Sequence, residues 1–276
     1  MRTGNRGRKM VKLALIGIDV SKSASPKIHS FIARELGKDI TYECISIPKP
    51  QFVNQIDDIL NKYDGLNVTI PYKLSVMSKL KEIVGDALSF GAVNTVCCAT
   101  RTGYNTDGAG FMKMLSSCGI DVNGKTALVL GAGGAGRSCV KKLLDEGATV
   151  EVYNRTYEKA LALKDEFNGV KAIKNLSAKE RYLIVNATGV GMHESVGLSP
   201  VTEDVISCCE SAVDLIYEPK ESEFLRIARG YGKKTVNGLS MLFYQAYYAD
   251  CIFFKTEPNE TQATALYNKF EKEIIL

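Results

Sequence analysis

The stretch Lys125-Thr-Ala-Leu-Val-Leu-Gly131-Ala-Gly-Gly-Ala-Gly136 decides how this chain is read. Lys125 to Leu130 is a short apolar run of the kind that forms a buried parallel strand. Arg137 to Glu146 follows the glycines, with Val140, Leu143 and Leu144 at helical spacing and Gly147 as the stop. Thr149-Val-Glu-Val-Tyr153 then reads as the next strand. A glycine-rich turn alone is weak evidence, but strand, loop, helix and strand in this order describe a dinucleotide-binding unit. Gly131 permits the tight turn, Gly133 lets a pyrophosphate approach the backbone, and Gly136 lets the helix pack on the sheet. Gly134 and Ala135 complete the loop, and the phosphates would face the positive end of the helix.

The end of the second strand discriminates between cofactors. A site for NAD places Asp or Glu there, accepting hydrogen bonds from the ribose 2′-hydroxyl. This chain has Asn154-Arg155-Thr156 instead. A guanidinium pairs with a 2′-phosphate that a carboxylate would repel, and Thr156 adds a hydroxyl donor. The expected cofactor is therefore NADP(H).

Composition excludes several other classes. With 276 residues the chain has room for two domains. Its formal charge of +4 is mild and well mixed, with no basic stripe of the kind nucleic acid requires. No apolar run is long enough to span a bilayer. The basic segment Met1 to Lys9 has no apolar signal core after it and reads as a disordered leader. The eight cysteines include two adjacent pairs, Cys97-Cys98 and Cys208-Cys209, but no CxxC, and there are only two histidines. Metal-ligand spacing is absent, so no metal is expected, and the thiols fit a reducing cytoplasm.

A second α/β unit precedes the glycine loop. Strands are predicted at Leu13–Gly17, Tyr42–Ile47, Gly65–Thr69 and Ala92–Cys98, the last leading into a turn at Thr102-Gly103. Helices are predicted at Pro26–Leu36 and Phe52–Leu60, with another beginning over Lys73–Lys81. Beyond the loop, Tyr182–Asn186, Ser211–Ile216 and Thr235–Val236 read as strands. Leu239–Phe254 reads as a long amphipathic helix and residues 262–274 as another, both returning to the first domain. The expected architecture is thus two α/β domains: residues 1–106 with 239–276 for substrate, and 107–238 as a Rossmann-type NADP-binding domain.

Ligand sites in open α/β sheets lie beyond the carboxyl ends of strands, where this chain concentrates its polar groups. Ser23 and Ser25 follow the first strand, two apart in a segment expected to be extended, so that both hydroxyls can face one carboxylate. Ser25 also directly precedes Pro26 and would serve equally as a helix N-cap; the motif fits both roles. Asn67-Val-Thr-Ile-Pro-Tyr-Lys73 follows the third strand, and Asn94 and Asp107 sit in Gly91-Ala-Val-Asn-Thr95 and Gly103-Tyr-Asn-Thr-Asp-Gly108. Carbonyl reduction needs a proton donor. His29 lies inside a helix and reads as structural, while Lys73 with Asp107 offers a cation for a developing alkoxide and a carboxylate to hold it.

These segments, in this order, resemble the shikimate dehydrogenase family over nearly the whole chain. Ser23-Ala-Ser-Pro26 is similar to its carboxylate clamp, Asn67–Lys73 to its lysine segment, and Gly91–Thr95 and Asn105–Gly108 to its polar turns. Gly131–Arg137 and Asn154–Thr156 are similar to its NADP site, and Asn186–Met192 to the loop beside nicotinamide. Asp214–Pro219 and Gly238–Leu242 with Gln245 complete the series. The resemblance implies reversible NADPH-dependent reduction of 3-dehydroshikimate to shikimate, on the route to chorismate and aromatic amino acids. It implies Lys73 and Asp107 as catalytic, and Ser23, Ser25 and Tyr217 on the substrate carboxylate. Thr69, Asn94, Asp107 and Gln245 would read ring hydroxyls, and Thr188 and Gly238 would flank the nicotinamide. The chain departs from the family pattern at Lys22, Asp19, Ser222 and Ser240. The rival readings are a quinate/shikimate enzyme using NAD(P), often with a preference for NAD, a folate-type dehydrogenase, and a non-catalytic nucleotide-binding module. Either a monomer or a homodimer is compatible with the sequence.

Overall fold

The computed structural model describes residues 10–275, so the expectation for the leader Met1–Lys9 lies outside the described residues. The chain divides into two compact units: residues to Thr106 together with Phe243 onward, and Asp107–Leu242.

The first unit is built on β1 (Val11–Gly17), α1 (Ser25–Glu35), β2 (Ile40–Ser46), α2 (Phe52–Lys62) and β3 (Gly65–Val68). These are followed by β4 (Glu82–Ile83), α3 (Asp86–Phe90), β5 (Thr95–Cys97) and β6 (Thr102–Tyr104). The strands form one mixed sheet in the order β2-β1-β3-β5-β6-β4. β1 runs parallel to β2 and β3, while β5 is antiparallel to β3 and β6. The register pairs Ile16 with Val68, Asn67 with Thr95, and Thr95 with Tyr104. Because β5 is reversed, the residues after β1, β3 and β6 and those before β5 all emerge at the same end of the sheet.

In the second unit, α4 (Asp107–Ser117) leads into β7 (Thr126–Leu130), α5 (Gly134–Asp145), β8 (Thr149–Tyr153), α6 (Tyr157–Glu166) and β9 (Val170–Ile173). Next come β10 (Arg181–Asn186), α7 (Glu203–Ser207), β11 (Cys209–Asp214), α8 (Glu223–Gly230) and β12 (Lys234–Val236). All pairings are parallel, in the order β12-β11-β10-β7-β8-β9. The chain winds outward from β7 through β8 to β9, then crosses back to β10 beside β7. The glycine loop therefore leaves β7 at the topological switch point, the usual ligand position of doubly wound sheets.

The helix α9 (Leu239–Phe254) enters the first unit at Phe243, and α10 (Glu260–Ile275) follows it. Phe31 of α1, Phe243 of α9 and Phe270 of α10 form an aromatic cluster with ring centroids 5.0–6.2 Å apart. A side chain at Gly65 would strike Phe253 of α9, so β3 and α9 meet closely because that position is bare.

The structure corrects four local expectations. The predicted helix over Lys73–Lys81 is only a 3-10 turn, Ser75–Lys79. Its start is held by Tyr72, buried on Phe52 with its hydroxyl donating to the Ile47 carbonyl at 2.5 Å. The turn after β5 falls at Cys98–Arg101, with Arg101 at φ 54°, so Thr102-Gly103 opens β6 instead. The strand predicted over Ala92–Cys98 is limited to Thr95–Cys97, since Asn94 turns its amide oxygen onto the Thr106 N–H. Finally, α9 is not amphipathic: between Phe243 and Cys251 no residue is exposed, so its apolar residues wrap the whole helix.

Candidate active site

In the first unit the polar groups gather at the sheet end defined above. Ser25 is the first residue of α1 and Ala24 its N-cap, without a side-chain capping bond, so the capping role does not fall to Ser25. The segment is turned rather than extended, with Ala24 at φ −74° and ψ −10°. It still brings the hydroxyls together: Ser23 Oγ donates to Ser25 Oγ at 3.1 Å and accepts the Ser25 N–H at 3.2 Å.

Thr69 leaves β3 beside β1, and its N–H donates to the Ile16 carbonyl at 2.9 Å. A side chain at Gly17 would lie 2.6 Å from Thr69 Cγ2, so only a bare Gly17 leaves Thr69 its place. Three residues on, Tyr72 is buried in the core described above, and the Lys73 carbonyl accepts the Val93 N–H at 2.9 Å. The half-buried Lys73 thus projects from a loop fixed immediately before and at its own backbone. Tyr72 and Gly17 went unrecognised in the sequence, because a tyrosine before a lysine and a glycine after a strand are individually commonplace.

Asn94 is buried and hydrogen-bonded through both ends of its amide. Its Oδ1 accepts from the Thr106 N–H at 2.9 Å and from Thr95 Oγ1 at 2.8 Å. Its Nδ2 donates to Thr106 Oγ1 at 3.0 Å and to Gln245 Oε1 at 3.4 Å. Gln245 comes from α9, so helix and sheet meet at this amide pair. His29, read as structural, makes a buried bond through Nδ1 to Asp250 Oδ1 at 2.7 Å.

In the second unit, Gly131–Gly136 forms a cradle. Gly131 has φ +103°, and its N–H donates to the Tyr153 carbonyl at 2.8 Å. A Cβ at Gly136 would lie 2.1 Å from the Gly131 oxygen, which explains the close approach of α5 to β7. Gly133 and Gly134 are exposed, and a Cβ on either would meet nothing within 4 Å. The first backbone N–H groups of α5 have no acceptor within the helix and open into this space. The donor set and the free space fit a pyrophosphate.

Asn154 shapes the neighbouring clip. Its Oδ1 accepts the Ala132 N–H at 3.0 Å and its Nδ2 donates to the Thr156 carbonyl at 2.8 Å. Arg155 and Thr156 are exposed beside it. The next residue of the cradle, Arg137, is engaged elsewhere: its guanidinium forks onto Glu166 and lies 5.1 Å from the Phe167 ring centre.

On the other side of β7, Thr188 follows β10. Asn186 Oδ1 accepts from the Thr188 N–H at 3.0 Å and from its hydroxyl at 2.6 Å. Asn186 Nδ2 donates to Asp214 Oδ1 at 3.0 Å, and Ser222 donates to Asp214 Oδ2 at 2.5 Å. Burial pushes the Asp214 carboxyl up, against these hydrogen bonds. Ser222 also caps α8, its hydroxyl accepting the Leu225 N–H while it donates to Asp214. This web holds the start of the segment that carries Tyr217, whose phenol is raised by burial. Gly238 lies against the Leu215 carbonyl, which a Cβ there would approach to 2.0 Å. Asp107 opens α4 and is buried. Sequence reasoning did not foresee the Asn186–Asp214–Ser222 web, whose members are 28 and 8 residues apart.

Comparison with known proteins agrees with both halves. Residues 15–96 match the shikimate dehydrogenase substrate binding domain, and residues 113–189 match the shikimate / quinate 5-dehydrogenase family. A shikimate dehydrogenase (NADP(+)) of Thermus thermophilus is 39% identical over 238 residues, covering 86% of this chain and 89% of the relative. The crystal structure of a Thermus thermophilus shikimate 5-dehydrogenase in complex with NADP(H) and shikimate has a TM-score of 0.85 at 36% identity, covering 94% of this chain and 99% of that one. A chorismate mutase/shikimate 5-dehydrogenase fusion protein from Clostridium acetobutylicum has a TM-score of 0.89 at 37% identity, covering 97% and 100%. On these matches, which span both units, the chain belongs to the shikimate dehydrogenase family.

Proposed function

We propose that this protein catalyses the reversible, NADPH-dependent reduction of 3-dehydroshikimate to shikimate. The observation that carries the reading is the coexistence of the glycine cradle with exposed Arg155 on one unit and the paired serines with Lys73 on the other. Bound at the cradle, NADPH supplies the hydride. Ser23 and Ser25, with Tyr217, hold the substrate carboxylate, for which two adjacent hydroxyl donors are suited. Thr69, Asn94, Asp107 and Gln245 read the ring hydroxyls. Lys73 stabilises the negative charge that grows on the ketone oxygen and gives it a proton, and Asp107 serves as the carboxylate for that ammonium. In the reverse direction Lys73 takes the proton back. Arg155 and Thr156 bind the 2′-phosphate, while Asn154 keeps the clip in register with the loop.

A site that hydrogen-bonds hydroxyls rejects analogues lacking them, because its own polar groups are left unpaired. The substrate range is therefore narrow, and the enzyme acts in the cytoplasm on small molecules rather than nucleic acid, as a monomer or homodimer. Eight free thiols among the described residues accord with a reducing compartment. Among the described residues no helix is long and apolar enough to cross a membrane. The test is a matrix of initial rates: shikimate and quinate, each with NADP and NAD. The expected result is fastest oxidation of shikimate with NADP. Preference for quinate or for NAD would overturn the assignment in favour of the quinate-type reading.

A further inference from the structure

His29 and Asp250 lie 221 positions apart and form one of the most enclosed polar contacts of the first unit, with side chains 1% and 0% exposed. His29 Nε2 and Asp250 Oδ2 are buried with no hydrogen bond among the described residues. Leaving polar atoms unpaired in an interior is costly, and an apolar pair of similar volume is often at least as stable. Stability alone therefore does not account for these two side chains.

Their positions do. His29 sits one helical turn after Ser25 on α1, so both lie on one face. Asp250 sits on α9 five residues after Gln245. The bond thus ties the helix that carries a clamp serine to the helix that carries a hydroxyl reader. Tyr42 of β2 stacks on the His29 ring, with centroids 4.5 Å apart and planes at 18°. Its hydroxyl has a single proton, which it donates to Asn67 Oδ1 at 2.8 Å. Asn67 Nδ2 in turn donates to Thr95 Oγ1 at 3.4 Å, and Thr95 donates to Asn94 Oδ1 at 2.8 Å. A hydrogen-bonded chain then runs Tyr42–Asn67–Thr95–Asn94–Gln245, while Tyr42 stacks on His29, one turn after Ser25 on α1, and the His29–Asp250 bond returns to α9.

We propose that His29, Asp250 and Tyr42 are positioning residues that set the spacing between the carboxylate clamp and the hydroxyl readers, and so determine affinity for shikimate. His29 and Asp250 are enclosed, so they act through the helices they join. The inference rests on the functional reading above, and the experiment separates the two.

The decisive variant is the apolar pair His29→Phe with Asp250→Leu, compared with the unmodified protein by thermal unfolding and by steady-state kinetics in shikimate and NADP. The apolar pair keeps a ring for Tyr42 to stack on and removes both unpaired atoms. The expected result is a Tm at or above that of the unmodified protein, a KM for shikimate raised roughly tenfold or more, and a KM for NADP within about twofold. A purely structural pair predicts the opposite, full recovery of shikimate KM along with Tm, and that result would overturn the proposal. Tyr42→Phe is the second variant, because it retains the stack and deletes only the hydroxyl. It should raise shikimate KM about tenfold with NADP KM unchanged, and an unchanged shikimate KM would overturn the proposal even if the paired variant failed to fold. Absence of turnover in the unmodified protein would instead remove the functional reading on which the proposal rests.

Discussion

Two glycines of the same loop should respond oppositely to one added methyl group. At Gly136 a Cβ would stand 2.1 Å from the Gly131 carbonyl oxygen and 3.0 Å from its carbon. Both are backbone atoms, so the helix must move away from the strand by about 1 Å, and overpacking of this kind costs roughly 1–3 kcal/mol. The helix propensity of alanine returns up to about 1 kcal/mol. Gly136→Ala should therefore lose on the order of 1–2 kcal/mol, a fall in Tm of about 2–8 °C for a chain of this size.

At Gly133 the methyl group meets nothing within 4 Å, and φ −82° with ψ −173° suits alanine. The poorer N-cap offered by alanine costs about 1 kcal/mol, and the less flexible unfolded chain returns about half of that or more. Stability should stay within about 1 kcal/mol. The same methyl group occupies the approach to the first N–H groups of α5. Losing one charge-assisted hydrogen bond, worth about 1.5–3 kcal/mol, would weaken NADPH binding by about tenfold to a hundredfold or a little more. Calorimetric unfolding and fluorescence titration with NADPH measure the two effects separately. Gly133→Ala binding NADPH with unmodified affinity would refute the cradle.

Other perturbations follow from the same geometry. Lys73→Ala should reduce kcat by about two to four orders of magnitude with a smaller change in shikimate KM, and near-normal turnover would clear Lys73 of proton transfer. Arg155→Asp should weaken NADPH about a hundredfold while leaving NADH within a few fold, as judged by titration with both; equal losses would place the 2′-phosphate elsewhere. Glu151 of β8 is buried with Arg181, whose Nε lies 3.0 Å away, and with Lys179 at 2.6 Å. Burial pushes its carboxyl up, but those two partners pull harder and leave it below the ordinary glutamate value. A depressed acid contributes stability that is present above its unfolded pKa and lost as pH falls through the lower folded value. Glu151→Gln should cost about 3 kcal/mol near neutral pH in urea unfolding, by stranding Arg181, and the difference from the unmodified protein should shrink on acidification below the glutamate range. A gap independent of pH would show that the ion pair is not its source.

The nucleotide half was legible because its signals are local. The strand predicted at Thr149–Tyr153 is the observed one, and Gly131, Gly136 and Gly147 each occupy a position that a side chain would disturb. The first half was legible in outline through Leu13–Gly17 and Gly65–Thr69, but its small elements were not. Glu82–Ile83 and Thr102–Tyr104 are two- and three-residue strands that exist only because neighbours pair with them, so no periodicity announces them. Lys73–Lys81 has helical spacing, yet the burial of Tyr72 ties down its start. In the candidate site the motif-bearing residues, Ser23, Ser25, Lys73 and Asn94, were readable from their neighbours in sequence. The groups that hold them were not: Asn94 meets Gln245 across 151 positions and His29 meets Asp250 across 221. Such contacts are made by tertiary packing, to which a local pattern is blind.

The most direct test is to mix the purified protein with NADPH and 3-dehydroshikimate and to follow the NADPH absorbance band while quantifying shikimate. The band should decay with one shikimate formed per NADPH consumed, and much more slowly when NADH is substituted. A band that stays constant in the presence of 3-dehydroshikimate would contradict the assignment of this chain as a working shikimate dehydrogenase.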